Sequence, residues 1–331
     1  MKRLLALVLL LLPCGAADRK QASGPGPDDA LPQVLWRVPR NLTVQDWICG
    51  PDGCERAPKP PFQFMKEDTG GTNPKISVRD SAGDEWSVKF GAETIPECFA
   101  SRFVTALGYL AEPTYFVATM KVDGVQKLKR ARWVAKKDGT FSKGRFERRG
   151  QKDFVFLAGH TWPWTNNRFQ GSHELAGLKI VMMLMSNWDA KDSRDGANSN
   201  NGVFRVSYDG GGPVLFYGVF DWGASLGRWG GLLRRDQSDC AGYNVDSPDF
   251  VKGVSRNNEV AWGFSGKHEA DVKSGITVED VRWLLPYLLR ITPDQLRAGL
   301  KASGATDRQT GCWAGAIENR IQQLQAVANP H

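Results

Sequence analysis

The sequence predicts an α+β fold with segregated elements: a β-rich first half that holds one helix, then a mainly helical half that holds one β-hairpin. Three observations predict it. Period-two alternation runs from Phe62 through Trp86, Val88 and Phe90. Apolar residues at helical spacing (Leu175, Leu178, Met182, Met185) open the second half. Helix-capping signals at Thr277, Thr292 and Thr306 close it. At 331 residues the chain is long enough for one two-lobed domain or two small ones.

Residues 1–17 read as a secretory signal peptide. Lys2 and Arg3 precede the apolar run Leu4 to Leu12, and Gly15, Ala16 and Ala17 supply small residues for cleavage. That run is shorter than the roughly 20 residues a membrane span needs. A lipoprotein signal with Cys14 as the lipidated residue is the alternative, although Pro13 fits it poorly. The mature chain is therefore expected to be exported, periplasmic or extracellular, with no transmembrane segment. Its most apolar stretch, Leu178 to Met185, is short and bounded by charge.

Residues 18–34 are polar and rich in Pro, Gly and Asp, which reads as a flexible leader. The extension that completes residues 18–61 is expected to be held by a Cys49–Cys54 bridge around Gly50-Pro51-Asp52-Gly53, since an oxidising compartment permits disulfides. Cys240 with Cys312 is a second pairing, and Cys98 falls in a helical pattern as a buried thiol. Cysteine and histidine spacings give no zinc site. Loss of Lys2 and Arg3 lowers the formal charge from +7 to +5. The cluster Lys127, Lys129, Arg130, Arg132, Lys136 and Lys137 reads as a solvated face or a surface for a phosphate-rich partner, and no motif points to nucleic acid.

Residues 62–150 form the β-rich part. Ile76 to Arg79 and Trp86 to Phe90 alternate about a turn at Asp80 to Asp84. A helix follows, with Thr94 as N-cap, Glu97 completing a capping box and Gly108 ending it. Pro113 to Met120 and Val125 to Val134 read as two more strands. Residues 151–331 hold the helix that runs into Asn187-Trp188-Asp189, a hairpin of Val203 to Tyr208 and Val214 to Phe220 about a turn at Asp209 to Pro213, and three C-terminal helices.

Chemistry concentrates in a few places. Alternation puts Trp86 and Val88 on one strand face and Ser87 and Lys89 on the other, and Glu97 opens the next helix. Taken alone, Lys89 reads equally as a solvated strand residue and Glu97 as a cap partner. Gly70-Gly71-Thr72 precedes this strand pair, as a turn or as a loop giving close backbone access. Asp189 sits where a helix ends, Lys191 follows by two, Asn198, Asn200 and Asn201 come next, and the hairpin leads into Asp221-Trp222-Gly223.

In order and residue type these segments resemble the protein-kinase-like superfamily over roughly residues 65 to 230, nearer its lipid-kinase-like and HipA-like branches. The chain also resembles uncharacterised exported proteins of soil bacteria such as acidobacteria. The kinase resemblance implies a two-lobed fold with ATP and Mg²⁺ in an interlobe cleft. Lys89 and Glu97 would order the nucleotide phosphates under the loop of Gly70, Gly71 and Thr72. Asp189 would orient the acceptor hydroxyl and Lys191 would offset charge on the transferred group. Asp221 with Asn200 or Asn201 would hold the metal. The acceptor stays open: protein, sugar or lipid headgroup. The chain departs from the family pattern in three places: it has no His-Arg-Asp, a long gap from Asp189 to the asparagines, and Gly227-Arg228-Trp229-Gly230-Gly231 where Ala-Pro-Glu is usual.

Two other readings stand beside it. One is a catalytically inactive binding scaffold. The other is a carbohydrate-active protein using Asp189, Asp192 and Asp195 with Trp162, Trp164, Trp188, Trp222 and Trp229, although aromatics in such positions are more often core. The same acidic cluster lacks the spacing of a Ca²⁺ loop, and Ser172 with His160 and His173 lacks a nucleophile elbow.

Overall fold

In a computed structural model of the chain, residues 30–208, 211–230 and 234–329 are described. The expected signal peptide and Cys14 lie outside them, as do Asp209 and Gly210 of the hairpin turn and Gly231.

The extension before residue 62 packs onto the body. β1 (Gln33–Val34) pairs in parallel with Leu215 and Phe216, and α1 (Val44–Cys49) carries a capping box between Thr43 and Asp46. α1 buries Trp47 against Phe99 and Phe103. The buried guanidinium of Arg102 donates to the carbonyls of Trp47 at 2.8 Å and Ile48 at 3.2 Å, satisfying the last turn of the helix. The Cys49–Cys54 bridge is formed.

Five strands then close into a barrel: β2 (Phe62–Asp68), β3 (Lys75–Arg79), β4 (Glu85–Lys89), β5 (Thr114–Asp123) and β6 (Thr140–Arg148), in the order β2-β3-β4-β6-β5. All neighbours are antiparallel except a short parallel contact between β2 and β5. The period-two pattern explains the closure: Ile76, Val78, Trp86, Val88 and Phe146 all point inward and are fully buried. Gly144 belongs to that inner set because a Cβ there would meet Met120 at 2.4 Å and Val88 at 2.8 Å.

Between β4 and β5, α2 (Thr94–Ala106) ends at Gly108 as expected. The expected capping box is absent. Thr94 is the first helical residue, its hydroxyl donates to the Gly91 carbonyl at 2.8 Å, and Glu97 is engaged by cations instead.

The strand expected over Val125 to Val134 is likewise absent. Its apolar residues, Val125, Leu128, Ala131 and Val134, recur every three positions, which suits a short 3₁₀ turn (Ala131–Trp133) packed on the barrel and not a pleated strand. The true strand is β6, which follows.

The rest of the chain carries β7 (Phe154–Phe156), α3 (His173–Leu184), β8 (Asn201–Val206) and β9 (Val214–Val219). β8 and β9 are the expected hairpin, and they join β1 and β7 in a four-stranded sheet. Beyond them come β10 (Arg228–Gly230), β11 (Arg234–Asp236), α4 (Cys240–Val245), β12 (Val251–Val254), β13 (Val260–Trp262) and α5 (Glu269–Lys273). The chain closes with α6 (Val278–Leu288), α7 (Pro293–Ala302) and α8 (Asp307–Ala328). The last three helices start at the caps read at Thr277, Thr292 and Thr306, and all three caps are capping boxes.

The second disulfide joins Cys240 to Cys312, and Cys98 is a buried thiol. Fully buried Arg320 on α8 donates to the Met183 and Leu184 carbonyls at 3.1 and 3.0 Å, fixing where α3 stops and the loop at Asn187 begins. No helix among the described residues is long and apolar enough to cross a membrane.

Candidate functional site

The outward face of the barrel carries the chemistry. Since Trp86 and Val88 point inward, Ser87 and Lys89 face out, as the alternation predicts. Register then aligns Lys75, Lys89 and Arg145 in one row across β3, β4 and β6. Like charges directly opposite each other on neighbouring strands repel. The row persists because carboxylates interleave it.

Glu97, from α2, contacts Lys89 Nζ at 2.5 Å and Arg145 Nε at 2.5 Å. Glu93 contacts Lys89 at 3.1 Å, Asp68 contacts Lys75 at 3.0 Å, and Glu147 pairs with Arg145 and, at 2.7 Å, with Arg149. Burial works against the Lys89 ammonium, but Glu97, Asp221 and Glu93 outweigh it and raise its pKa above the ordinary value.

This face lines a cavity of about 270 Å³ whose walls include Lys75, Lys89, Glu97, Arg145, Glu147 and Asp221. Phe156 and Phe220 supply an apolar side. Glu112 also faces it. Burial and the neighbouring Glu147 carboxylate push the Glu112 carboxyl up to about 8, against the pull of Arg145 and Arg149.

Asp221 enters from the turn after β9. Its carboxylate accepts the Gly223 N–H at 2.9 Å, and its carbonyl accepts from Asn187 Nδ2 at 2.9 Å. Gly223 lets this turn approach α2: a Cβ there would lie 2.7 Å from Glu93 and 2.9 Å from Glu97. Carboxylate oxygens of Glu93, Glu97 and Asp221 consequently lie within 4.8 Å of one another. An all-oxygen donor set of this size suits a hard divalent cation.

Asp189 and Lys191 do not line that cavity wall. They are tied to it through the backbone. Lys191 Nζ contacts Asp189 Oδ2 at 2.8 Å, and Asn200 Nδ2 donates to the Asp189 carbonyl at 2.7 Å and to Oδ2 at 3.2 Å. The Asn200 carbonyl then accepts the N–H of Phe220, the residue before Asp221, at 3.0 Å.

Asn201 departs from the expectation. Successive strand residues face opposite ways, so its side chain is buried and donates to the Trp162 carbonyl at 3.2 Å. Gly70, Gly71 and Thr72 form the β2–β3 turn and stay out of the cavity wall. The Gly71 and Thr72 carbonyls accept from Arg130, and the Gly70 N–H donates to Asp68. Backbone N–H access by this turn is therefore a weaker match than the sequence implied.

Sequence reasoning missed Lys75, Glu93, Arg145, Glu147 and Glu112. Lys75 was within reach, because the β3–β4 hairpin places it opposite Lys89. Arg145 and Glu147 flank Phe146 in period two, but only the β4–β6 register brings them to the site.

The rival constellations dissolve. Trp162, Trp164, Trp188 and Trp222 are buried core, and Trp229 packs against Trp188 with tilted rings and centroids 5.0 Å apart. Ser172 caps α3, and His173 bonds Asp280 at 2.7 Å.

No protein-family model matches the chain, and no curated protein matches it. Among solved structures, the crystal structure of the Golgi casein kinase is similar at 10% identity, covering 87% of this chain and 77% of that one, with a TM-score of 0.34. The same kinase with Mn/ADP bound is similar at 11% identity over 86% and 74% of the two chains, with a TM-score of 0.38.

Proposed function

We propose that the chain is an exported kinase-like phosphotransferase or nucleotide-binding protein, with residues 62–150 as a β-rich lobe, residues 151–331 as a mainly helical lobe and the nucleotide phosphates in the cavity between them. One observation carries this reading: the in-register cationic row of Lys75, Lys89 and Arg145 shares one cavity with Glu97 and Asp221, whose carboxylates cluster with that of Glu93. A polyphosphate needs cations for its oxygens, and its metal needs carboxylates beside them. Mg²⁺ would be held by Asp221 with Glu93 or Glu97, a revision of the Asn200 and Asn201 assignment. When bound, the ion would neutralise charge on the phosphate oxygens.

Lys89 would meet the phosphates, positioned by Glu97. Asp189 would orient the acceptor hydroxyl, with Lys191 beside it and Asn200 fixing its carboxylate. The acceptor class stays open among protein, sugar and lipid headgroup. Export is supported by the two disulfides. A binding scaffold without transfer is the second reading, favoured by the contacts of both Lys191 and Asn200 with Asp189 Oδ2.

Thermal unfolding with ATP or ADP, with and without Mg²⁺ or Mn²⁺, tests the reading. A metal-dependent rise in Tm, lost in Asp221→Ala and in Lys89→Met, is expected. Unchanged melting with every nucleotide and metal combination refutes it. Phosphate transfer abolished by Asp189→Ala, with the nucleotide response intact, separates enzyme from scaffold.

A further inference from the structure

We propose that the segment joining β5 to β6 is a docking surface for anionic lipid bilayers, with Trp133 as its interfacial anchor. Residues 121–143 hold eight Lys and Arg against two Asp. Among these cations Lys121, Lys127, Lys129, Arg132, Lys136 and Lys137 are exposed. The segment folds by the three-residue apolar rhythm described above, which inserts Val125, Leu128, Ala131 and Val134 against the barrel core. Trp133 falls off that rhythm. It is 78% exposed, more than any other large apolar residue described, and the Arg132 guanidinium lies 4.5 Å from its ring centroid.

The presentation is rigid. Glu67 accepts the N–H groups of Lys129, Arg130 and Ala131 at 2.6–2.7 Å, and Arg130 donates to the Thr69 and Gly71 carbonyls at 2.8 and 2.6 Å. A surface already ordered loses little conformational freedom on docking. Charge fixes the sign of the partner as anionic, and the protruding indole fixes its nature. A peptide of acidic side chains alone has no apolar surface to cover that ring. A bilayer interface takes an amphipathic ring at headgroup depth while lipid phosphates meet the surrounding cations.

Co-sedimentation of the full chain with vesicles tests this, one set pure phosphatidylcholine and one with about 30% phosphatidylglycerol. Wild type and variants share residues 1–17, so their differences report on the segment alone. Binding is expected to require the anionic lipid and to weaken as salt rises from about 0.1 to 0.5 M. Each cation removed should weaken partitioning by about fivefold, so Lys129→Ala/Arg132→Ala/Lys136→Ala should lose about 100-fold. Quenching of tryptophan fluorescence by brominated lipid chains should fall in Trp133→Ala, with melting unchanged. Equal binding of wild type and both variants overturns the proposal. So does capture by soluble polyglutamate or heparin without vesicle binding.

Discussion

Two carboxylate clusters in this protein look alike as lists of residues and differ in what holds them. Glu93, Glu97 and Asp221 have oxygens within 4.8 Å of one another, and so do Asp192 and Asp195 with a ring nitrogen of His268. In the second cluster the donors are built in. Asp192 accepts the Trp164 and Arg194 N–H groups, each at 3.0 Å, and Arg194 Nε and Nη2 at 2.8 and 2.6 Å. Asp195 accepts the Asp192 N–H at 2.9 Å and contacts His268 Nε2 at 2.7 Å. Those carboxylates brace a loop. In the first cluster the partners are mainly the side-chain cations Lys89 and Arg145, which a metal-bound polyphosphate can re-engage. Acidic residues close together say little; the identity of their donors separates a brace from a site.

The largest effect expected from this contrast is structural. Asp192 has no exposed side-chain surface, so Asp192→Ala strands a buried N–H at Trp164 and leaves the part-exposed Arg194 guanidinium to Asp271 alone. A loss of about 2–3 kcal/mol in unfolding free energy is expected by chemical denaturation. The effect should also be readable in acid. Burial raises the Asp192 pKa, but Arg194 and the Trp164 N–H outweigh it and hold the group below its ordinary value. A depressed carboxyl stabilises the fold above its unfolded pKa of about 3.9 and loses that contribution as pH falls through the folded value. Wild type should lose its advantage over Asp192→Ala below about pH 4. A variant as stable as wild type at pH 7 would break the comparison.

Glu93→Gln and Asp195→Asn form a smaller, matched pair. Glu93→Gln should weaken metal-dependent nucleotide stabilisation about tenfold while changing the ligand-free protein by about 0.5 kcal/mol or less. Asp195→Asn should do the reverse, costing about 1 kcal/mol through the loop brace and leaving the nucleotide response unchanged. Titration calorimetry beside melting reads both.

The fold was legible wherever periodicity was unambiguous. The alternation of Trp86 and Val88, the stripe of α3 and the three threonine caps each carry one local signal, and each element formed. Reading failed where two patterns compete. Val125 to Val134 has strand-favouring residues only at its ends, its apolar period is three, and the loop won. At the site, Lys89 and Asp221 were legible because local motif order exposes them. Arg145 was not, since only the β4–β6 register brings it opposite Lys89, and register between strands more than fifty residues apart has no local signature. Glu97 was found for its pairing with Lys89, while its capping role failed because two cations compete better than a backbone N–H.

Glu112 gives the smallest and finest test, because it shares the cavity with the first cluster and lacks that cluster's cations. Arg145 and Arg149 are both paired with Glu147, so Glu112 meets burial and a neighbouring negative charge, and its pKa rises to about 8. The sign is opposite to that of Asp192. Between an unfolded pKa of about 4.3 and the folded value near 8, the folded state holds a proton that the unfolded state releases. Stability should therefore fall as pH rises across that window. Glu112→Gln carries no titrating proton, so its stability should fall less over the same range. Relative to wild type it should gain steadily up to pH 8, read as a Tm difference that widens with pH. Parallel pH profiles for the two proteins would mean that the cations reach Glu112 as well as Glu147, and the cavity would then be less sharply divided than its ion pairs indicate.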